Sequence, residues 1–142
     1  MDYNLERFIV AQQKDYKTAL KEIKSGKKQS HWMWYIFPQI AGLGGLSAMS
    51  RQYEIKELGE AKAYMANDYL RNNLIEISRA LLECDSNNPV EVLGFPDNLK
   101  LLSSMTLFEL VAPEVKEFKL VLDKFFDGYR DERTIEFALE EN

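Results

Sequence analysis

Side chains that could take part in chemistry are concentrated in the segment SHWMW at 30–34. It contains His31, the only histidine of the chain, and both tryptophans, Trp32 and Trp34. A neutral imidazole can accept or relay a proton, which makes His31 a candidate acid–base residue. An indole ring can stack on a planar ligand. Together these residue types predict a small-molecule site, with an ordinary packed or surface histidine as the alternative.

The two tryptophans cannot serve the same wall of a pocket. On a helix, Trp32 and Trp34 point about 200° apart. We therefore expect one indole to lie in the core and the other to contact a ligand, and the spacing is compatible with either assignment.

Positive charge lies directly before the tryptophans, where four lysines fall within eight residues: Lys21, Lys24, Lys27 and Lys28. Ser30 is a good N-cap for a short helix over 31–37, and the free N–H groups at a helix N-terminus bind anions. Lys27, Lys28 and Ser30 are therefore predicted to hold a phosphate group. A solvated helix end is the alternative interpretation.

The stretch GFPDNLKLLSSMTLF at 94–108 is the second group of candidate residues. If Pro96 opens a helix, Asp97, Lys100 and Ser104 follow one another along one face. Asp97 and Lys100 are predicted to orient a ligand or an acid–base group. With Ser103 and Thr106, Ser104 forms a polar strip in an otherwise apolar helix, and these hydroxyls need partners when buried. The partners could be a ligand, water or a structural network.

Glu60, in GEAKAYM, is the third candidate. A carboxylate can act as a general acid or base, and we expect Glu60 to do so only if it lies near His31 or Lys100. Otherwise a carboxylate in the first turns of a helix compensates the helix dipole. The candidate catalytic residues are thus His31 and Glu60.

The elements that must position these residues are mostly helices. Apolar residues recur at helical spacing from Leu5 to Ile23, and Gly26 stands where a C-terminal cap belongs. Similar signals predict helices over 31–37, 58–66, 69–84, 89–93, 96–110, 113–126 and 131–139. The segment 50–55 is predicted as a short strand or extended segment. We therefore expect a mainly α protein with a single compact multi-helix domain over 1–142.

Composition excludes several classes of protein. A chain of 142 residues with a net charge of −5 is the size of one domain and too acidic for general nucleic-acid binding. It has no apolar run long enough for a membrane span and no N-terminal signal pattern, and its single cysteine fits a reducing cytoplasm. One His and one Cys fall short of a usual metal-ligand set. SGKKQS and GLGGLS both depart from the glycine motifs that bind phosphates or dinucleotides.

The quoted stretches resemble a known family. The segments RFIVAQ, GKKQSHWMWYIFPQIAGLG, EAKAY, GFPDNLKLLSSMTLF and FFDGYRDERT are similar to a family of small bacterial proteins, the domain of unknown function 1810, some of whose members carry the label calpastatin. The resemblance implies a compact helical domain without an established activity. A calpastatin would be a disordered chain, which this composition contradicts. A shorter similarity, at Glu60 and Tyr64, is to the YbiA-like glycosidases, which are mainly helical, are related to NAD and ADP-ribose, and act on N-glycosidic bonds.

These observations place the predicted site where the SHWMW helix meets the PDNLK helix and the AGLGG loop. Its predicted ligand is a planar anion, either a nucleotide or an ADP-ribose derivative, and both a binding protein and an enzyme are compatible with such a site. The alternative function is a helical protein-interaction module in which the aromatic motif is core. Solvent accessibility of the tryptophans distinguishes the two. The sequence yields no prediction for a cofactor or for the oligomeric state.

Overall fold

Helices follow one another along the chain in this computed structural model, which describes residues 3–43 and 47–140. Over these ranges they are α1 (Glu6–Lys24), α2 (Met33–Ile36), α3 (Ala48–Tyr53), α4 (Leu58–Ala66), α5 (Asp68–Leu82), α6 (Pro89–Leu93), α7 (Asp97–Val111), α8 (Lys116–Phe126) and α9 (Glu132–Leu139). The β-type pairing within the same ranges is one parallel bridge between Ile40 and Ile55. The predicted fold class, mainly α, is confirmed. No described helix is both long and apolar enough to cross a membrane.

Helix α1 shows how the sequence produces the local structure. Phe8, Tyr16 and Ile23 are buried on one face of α1, and lysines in its last turn favourably oppose the helix dipole. The helix ends at Lys24, and Gly26 follows its cap residue Ser25 with a φ of +88°, which is strained for any residue with a side chain. The Gly26 N–H donates to the Ile23 carbonyl at 2.9 Å.

The core lies around α7, which is buried on nearly every side. Helix α7 packs against α4, α6, α8 and α9, while α5 packs against α1, α4 and α8. Leu101, Met105 and Phe108 of α7 are fully buried. The Phe108 ring lies 5.0 Å from that of Tyr64 and 6.2 Å from that of Phe118, which joins α4 and α8 to α7. This central helix also carries the polar strip predicted from the sequence.

The segment 50–55 differs from its prediction. Most of it belongs to α3, which Ser47 caps by accepting a hydrogen bond from the Ser50 N–H at 3.1 Å. The extended part is limited to the residues after Tyr53, where Ile55 pairs with Ile40. A side-chain cap at Ser47 thus favours a helical turn where the sequence pattern indicated a strand.

The helix predicted over 31–37 is shorter than expected. It covers Met33–Ile36, with Trp32 rather than Ser30 at the N-cap position, so the predicted cap is wrong. The Ser30 hydroxyl instead donates to Glu22 Oε2 at 2.6 Å, and its N–H donates to Glu22 Oε1 at 2.9 Å. Hydrogen bonds to a charged carboxylate are stronger than those to a neutral acceptor. The bonds to Glu22 therefore hold residues 30–32 against α1, and these residues do not enter α2.

Candidate functional site

A cavity of about 550 Å³ lies between α2, α3, α7 and α9. We call it the Trp34 cleft. Its apolar wall consists of Ile40, Leu43, Pro96, Leu99 and Leu102. Its aromatic, charged and polar wall consists of Trp34, Gln39, Ser50, Tyr53, Glu54, Lys100, Ser103, Asp131 and Arg133. The SHWMW segment, the PDNLK helix and the first residues of the AGLGG loop meet at this cleft; Gly44 and Gly45 of that loop lie outside the described residues.

The two tryptophans have different surroundings, as predicted, although only Trp34 lies on α2. Trp32 is 1% exposed, and its Nε1–H donates to Glu22 Oε1 at 3.0 Å. Trp34 is half-buried and lines the cleft. Trp32 is therefore a core residue, and Trp34 is the indole available to a ligand.

Glu22, at the end of α1, organises the segment before the cleft. Its carboxylate accepts hydrogen bonds from the Ser30 hydroxyl, the Ser30 N–H, the Trp32 indole and the Gln29 N–H, the last at 2.7 Å. Partial burial alone would raise the pKa of Glu22, but these donors outweigh it and lower the pKa to about 2. The Gln29 and Ser30 N–H groups next to the predicted phosphate site are therefore already bonded to Glu22.

Two lysines share one carboxylate at the Trp34 side of the cleft. Lys100 Nζ lies 3.0 Å from Asp97 Oδ1 and 4.1 Å from the centroid of the Trp34 ring. Lys28 Nζ lies 2.9 Å from Asp97 Oδ2 and also donates to the Ser30 carbonyl at 2.6 Å. Burial acts to raise the pKa of the Asp97 carboxyl, but the hydrogen bonds from the two ammonium groups prevail and lower it. Asp97 is therefore ionised and bonded on both oxygens.

The start of α9 contributes further polar groups to the cleft. Asp131 Oδ2 accepts hydrogen bonds from the Ser103 hydroxyl at 2.8 Å and from the Thr134 hydroxyl at 2.6 Å. The Asp131 N–H donates to Thr106 Oγ1 at 3.0 Å. Two hydroxyls of the predicted polar strip, those of Ser103 and Thr106, thus belong to a structural network that joins α7 to α9. The same network places one carboxylate, that of Asp131, on the cleft wall.

Several polar groups on the cleft wall are open to a ligand. Arg133 lies with its guanidinium 5.5 Å from the Phe137 ring centroid, and no carboxylate of the described chain is within ion-pair distance of it. Within 3–43 and 47–140, the Gln39 amide and the Tyr53 hydroxyl make no side-chain hydrogen bond. Neither Arg133 nor Asp131 was a sequence candidate, although both lie in the FFDGYRDERT stretch that supports the family resemblance.

Glu60 does not line the Trp34 cleft and borders a second cavity instead. It is fully buried, and its carboxylate accepts hydrogen bonds from Arg7 Nη1 and from the Lys56 N–H, both at 2.7 Å. Arg7 also donates to the backbone carbonyls of Gln52 and Glu54, which ties α1 to the end of α3. A second cavity of about 500 Å³ borders this ion pair. Both groups of the pair are engaged in holding the fold together.

The remaining candidates lie outside both cavities. His31 is exposed, whereas Glu60 is fully buried and bonded to Arg7, so the two side chains are not brought together. Lys27 is also exposed and lines neither cavity. Ser104 is fully buried, and its hydroxyl has no hydrogen-bond partner in the described structure. Of the predicted residues, Trp34 and Lys100 line the cleft, with Asp97 and Lys28 directly behind Lys100. The described part of the chain contains no group of three or more His, Cys, Asp or Glu side chains arranged to hold a metal ion.

Comparisons with known proteins agree with this fold. A family model described as "Protein of unknown function (DUF1810)" matches residues 2–138. The crystal structure of the conserved hypothetical protein Rv1873 from Mycobacterium tuberculosis is similar over 98% of this chain and 99% of that chain, with 37% identity and a TM-score of 0.94. No curated protein matches the sequence. The two similarities cover nearly the whole chain.

Proposed function

The chain belongs to the DUF1810 family, and we propose that it binds a small planar anion, a nucleotide or an ADP-ribose derivative, in the Trp34 cleft. The observation that carries the proposal is the cleft itself, in which an indole, a paired lysine and an arginine surround about 550 Å³. Ligand-binding pockets usually enclose about 300–1,000 Å³ and combine apolar walls with a few convergent polar groups.

The composition of the walls supports a ligand with one flat face and one negative end. Trp34 and Tyr53 offer aromatic surface, and Leu43 extends the apolar surface beside them. Lys100 and Arg133 supply positive charge from different helices. A nucleotide has matching parts, because its base is flat and its phosphate accepts hydrogen bonds from guanidinium and ammonium groups.

Carboxylates on the same wall are the groups placed for acid–base chemistry on such a ligand. Glu54 and Asp131 both line the cleft. His31 is exposed outside it, and Glu60 is engaged with Arg7. If a bound ligand is turned over, we therefore expect Asp131 or Glu54 rather than His31 or Glu60 to act on it.

The test is thermal melting of the purified protein with AMP, ADP-ribose, NAD and sugar phosphates. A ligand at 100 times its Kd stabilises the folded state by about 2.7 kcal/mol, which raises Tm by several degrees in a domain of this size. We expect such a shift to be lost in Trp34→Leu and Arg133→Met and to persist in Lys27→Met, an exposed control outside the cleft. Absence of any shift across the panel, or a shift that both cleft variants retain, would overturn the proposal.

A second candidate function is contact with another protein. Phe95 is 74% exposed, and Leu99, which also lines the cleft, is 48% exposed. Large exposed apolar side chains close together are typical of interaction surfaces. No ligand shift in the wild type, together with binding to a partner that Phe95→Ser abolishes, would favour this candidate over the small-molecule site.

A further inference from the structure

Lys28, Asp97 and Lys100 form a cluster beside the Trp34 cleft that contains one positive charge in excess. Lys28 and Lys100 both bond to Asp97, one on each carboxylate oxygen. Within the described residues neither lysine has a second carboxylate at ion-pair distance. One carboxylate therefore faces two ammonium groups, which leaves one positive charge of this cluster uncompensated next to the cleft.

Only one of the two lysines can touch a ligand. Lys100 lines the cleft and lies over the Trp34 ring. The Lys28 side chain is 7% exposed, and its ammonium group is surrounded by Asp97, the Ser30 carbonyl and the face of Trp32, whose ring centroid is 5.0 Å away. Lys28 therefore affects a ligand through its charge and through its hold on Asp97.

We propose that Lys28 is a positioning residue that sets the anion affinity of the Trp34 cleft, because it competes with Lys100 for Asp97 and so leaves the Lys100 ammonium group only partly neutralised. The inference rests on the proposed function for its ligand, an anionic phosphate or carboxylate group received beside Trp34. Its electrostatic part concerns the cleft alone and can be measured without that ligand.

Opposite changes in charge predict opposite effects. Lys28→Met removes the competitor, so that Asp97 neutralises Lys100 fully and the region beside Trp34 becomes less positive. Asp97→Asn removes the shared carboxylate, so that both lysines stay uncompensated and the cleft becomes more positive. If the cluster had a purely structural role, both variants would change the anion affinity of the cleft in the same direction. Lys27→Met is the matched control, because it removes the same charge from the exposed neighbouring position.

The first experiment measures quenching of tryptophan fluorescence by iodide, an anion, relative to acrylamide, which is neutral. Trp32 is 1% exposed and therefore shielded from both quenchers, so the ratio reports the charge beside Trp34. We expect Lys28→Met to lower the ratio and Asp97→Asn to raise it. Each change should be on the order of twofold, because each substitution alters one charge near Trp34. Lys27→Met should leave it near the wild-type value. Equal ratios, or shifts of the same sign in both variants, would overturn the inference.

The second experiment titrates AMP into the same four proteins. We expect Lys28→Met to weaken AMP binding about three- to tenfold and Asp97→Asn to strengthen it. If AMP and the other nucleotides bind none of the proteins while the iodide ratios change as expected, the proposed ligand is wrong and the electrostatic role of Lys28 stands. If AMP binds the wild type and Lys28→Met with equal affinity, the role of Lys28 is refuted and the binding function stands.

Discussion

Replacing Glu22 by glutamine tests how the SHWMW segment is held against α1. Glutamine keeps the size of the side chain and one carbonyl oxygen, while it removes the negative charge. In the wild type the charged Glu22 carboxylate accepts hydrogen bonds from Gln29, Ser30 and Trp32. Hydrogen bonds to a charged acceptor contribute more than neutral ones, so Glu22→Gln weakens each of them without removing all of them.

The expected loss of stability follows from the pKa of Glu22, which is lowered from 4.5 to about 2. A difference of this size corresponds to at most about 3–4 kcal/mol of folding free energy. Because Glu22 is only partly buried, solvent screening reduces the contribution, and we expect Glu22→Gln to cost about 1–2 kcal/mol at pH 7. In a domain of this size the Tm falls by about 3–8 °C.

The sign of the pH dependence is fixed by the lowered pKa. The ionised carboxylate stabilises the folded state fully above about pH 4.5, and this contribution is lost progressively as the pH falls towards 2. The difference in unfolding free energy between wild type and Glu22→Gln should therefore be constant from pH 7 to 5 and about half as large or less at pH 3.

Urea unfolding at pH 7, 5 and 3, followed by circular dichroism, measures this difference. Glu114→Gln is the control, because Glu114 is exposed and has no side-chain hydrogen bond or ion pair in the described part of the chain. The reasoning is refuted if Glu22→Gln is as stable as the wild type at pH 7. It is also refuted if the difference persists unchanged at pH 3.

Three further outcomes are expected from the contacts of other residues. Arg7→Met leaves the Glu60 carboxylate buried without its cation and should lower the unfolding free energy in urea by about 3–5 kcal/mol. The double variant with Glu60→Leu should regain part of this loss, and an Arg7→Met variant as stable as the wild type would show that the pair is not formed. Ser104→Ala removes a buried hydroxyl that has no partner, so the unfolding free energy should change by less than about 0.5 kcal/mol or rise, whereas a loss above about 1 kcal/mol would reveal a bonded hydroxyl. Acrylamide should quench the tryptophan fluorescence of Trp32→Phe, which retains Trp34, more strongly than that of Trp34→Phe, and the reverse order would contradict the assignment of Trp32 to the core.

Most helices could be predicted because their ends depend on local chemistry. Gly26 and Gly94 adopt positive φ at helix ends, and Pro89 occupies the first position of α6. Helix α3 also begins with a local signal, the Ser47 cap, but its end is fixed by packing. The ring of Tyr53, its last residue, packs 5.0 Å from Tyr35 and 6.0 Å from Phe8. These contacts join distant parts of the chain, so no local pattern in the segment indicates them.

The sequence predicted that the two tryptophans would differ, but not which one would be buried. The prediction assumed that both tryptophans lie on one helix, whereas Trp32 precedes α2. The choice depends on Glu22, ten positions before Trp32, whose carboxylate binds the indole N–H at 3.0 Å. The same carboxylate explains why Ser30 does not cap α2. A helix-end glutamate is an ordinary feature of a sequence, so its role emerges only when the chain turns at Gly26 and brings 29–32 back to it.

The other half of the cleft wall depends on packing between helices. The hydroxyls of Ser103 and Thr106 indicated that α7 needs polar partners, and the structure supplies Asp131. Nothing in the spacing of α7 identifies a residue so far along the chain. Arg133 lines the cleft two residues after Asp131, which this network bonds to α7. The polar strip thus predicted that a network exists, while its members on α9 needed the fold.

Stability and binding can be separated within the single stretch that begins at Glu22. A continuous series of contacts leads from Glu22 through the Trp32 indole to Lys28, and then through Asp97 to Lys100 at the cleft. Glu22 and Lys28 have different roles in this series. The charge of Glu22 is used in hydrogen bonds that hold the fold, whereas Lys28 shares the Asp97 carboxylate with Lys100. Glu22→Gln should therefore melt earlier yet bind AMP with wild-type affinity when folded. Lys28→Met should bind AMP more weakly than any loss of stability accounts for, since of these two residues only Lys28 affects the charge of Lys100 at the cleft.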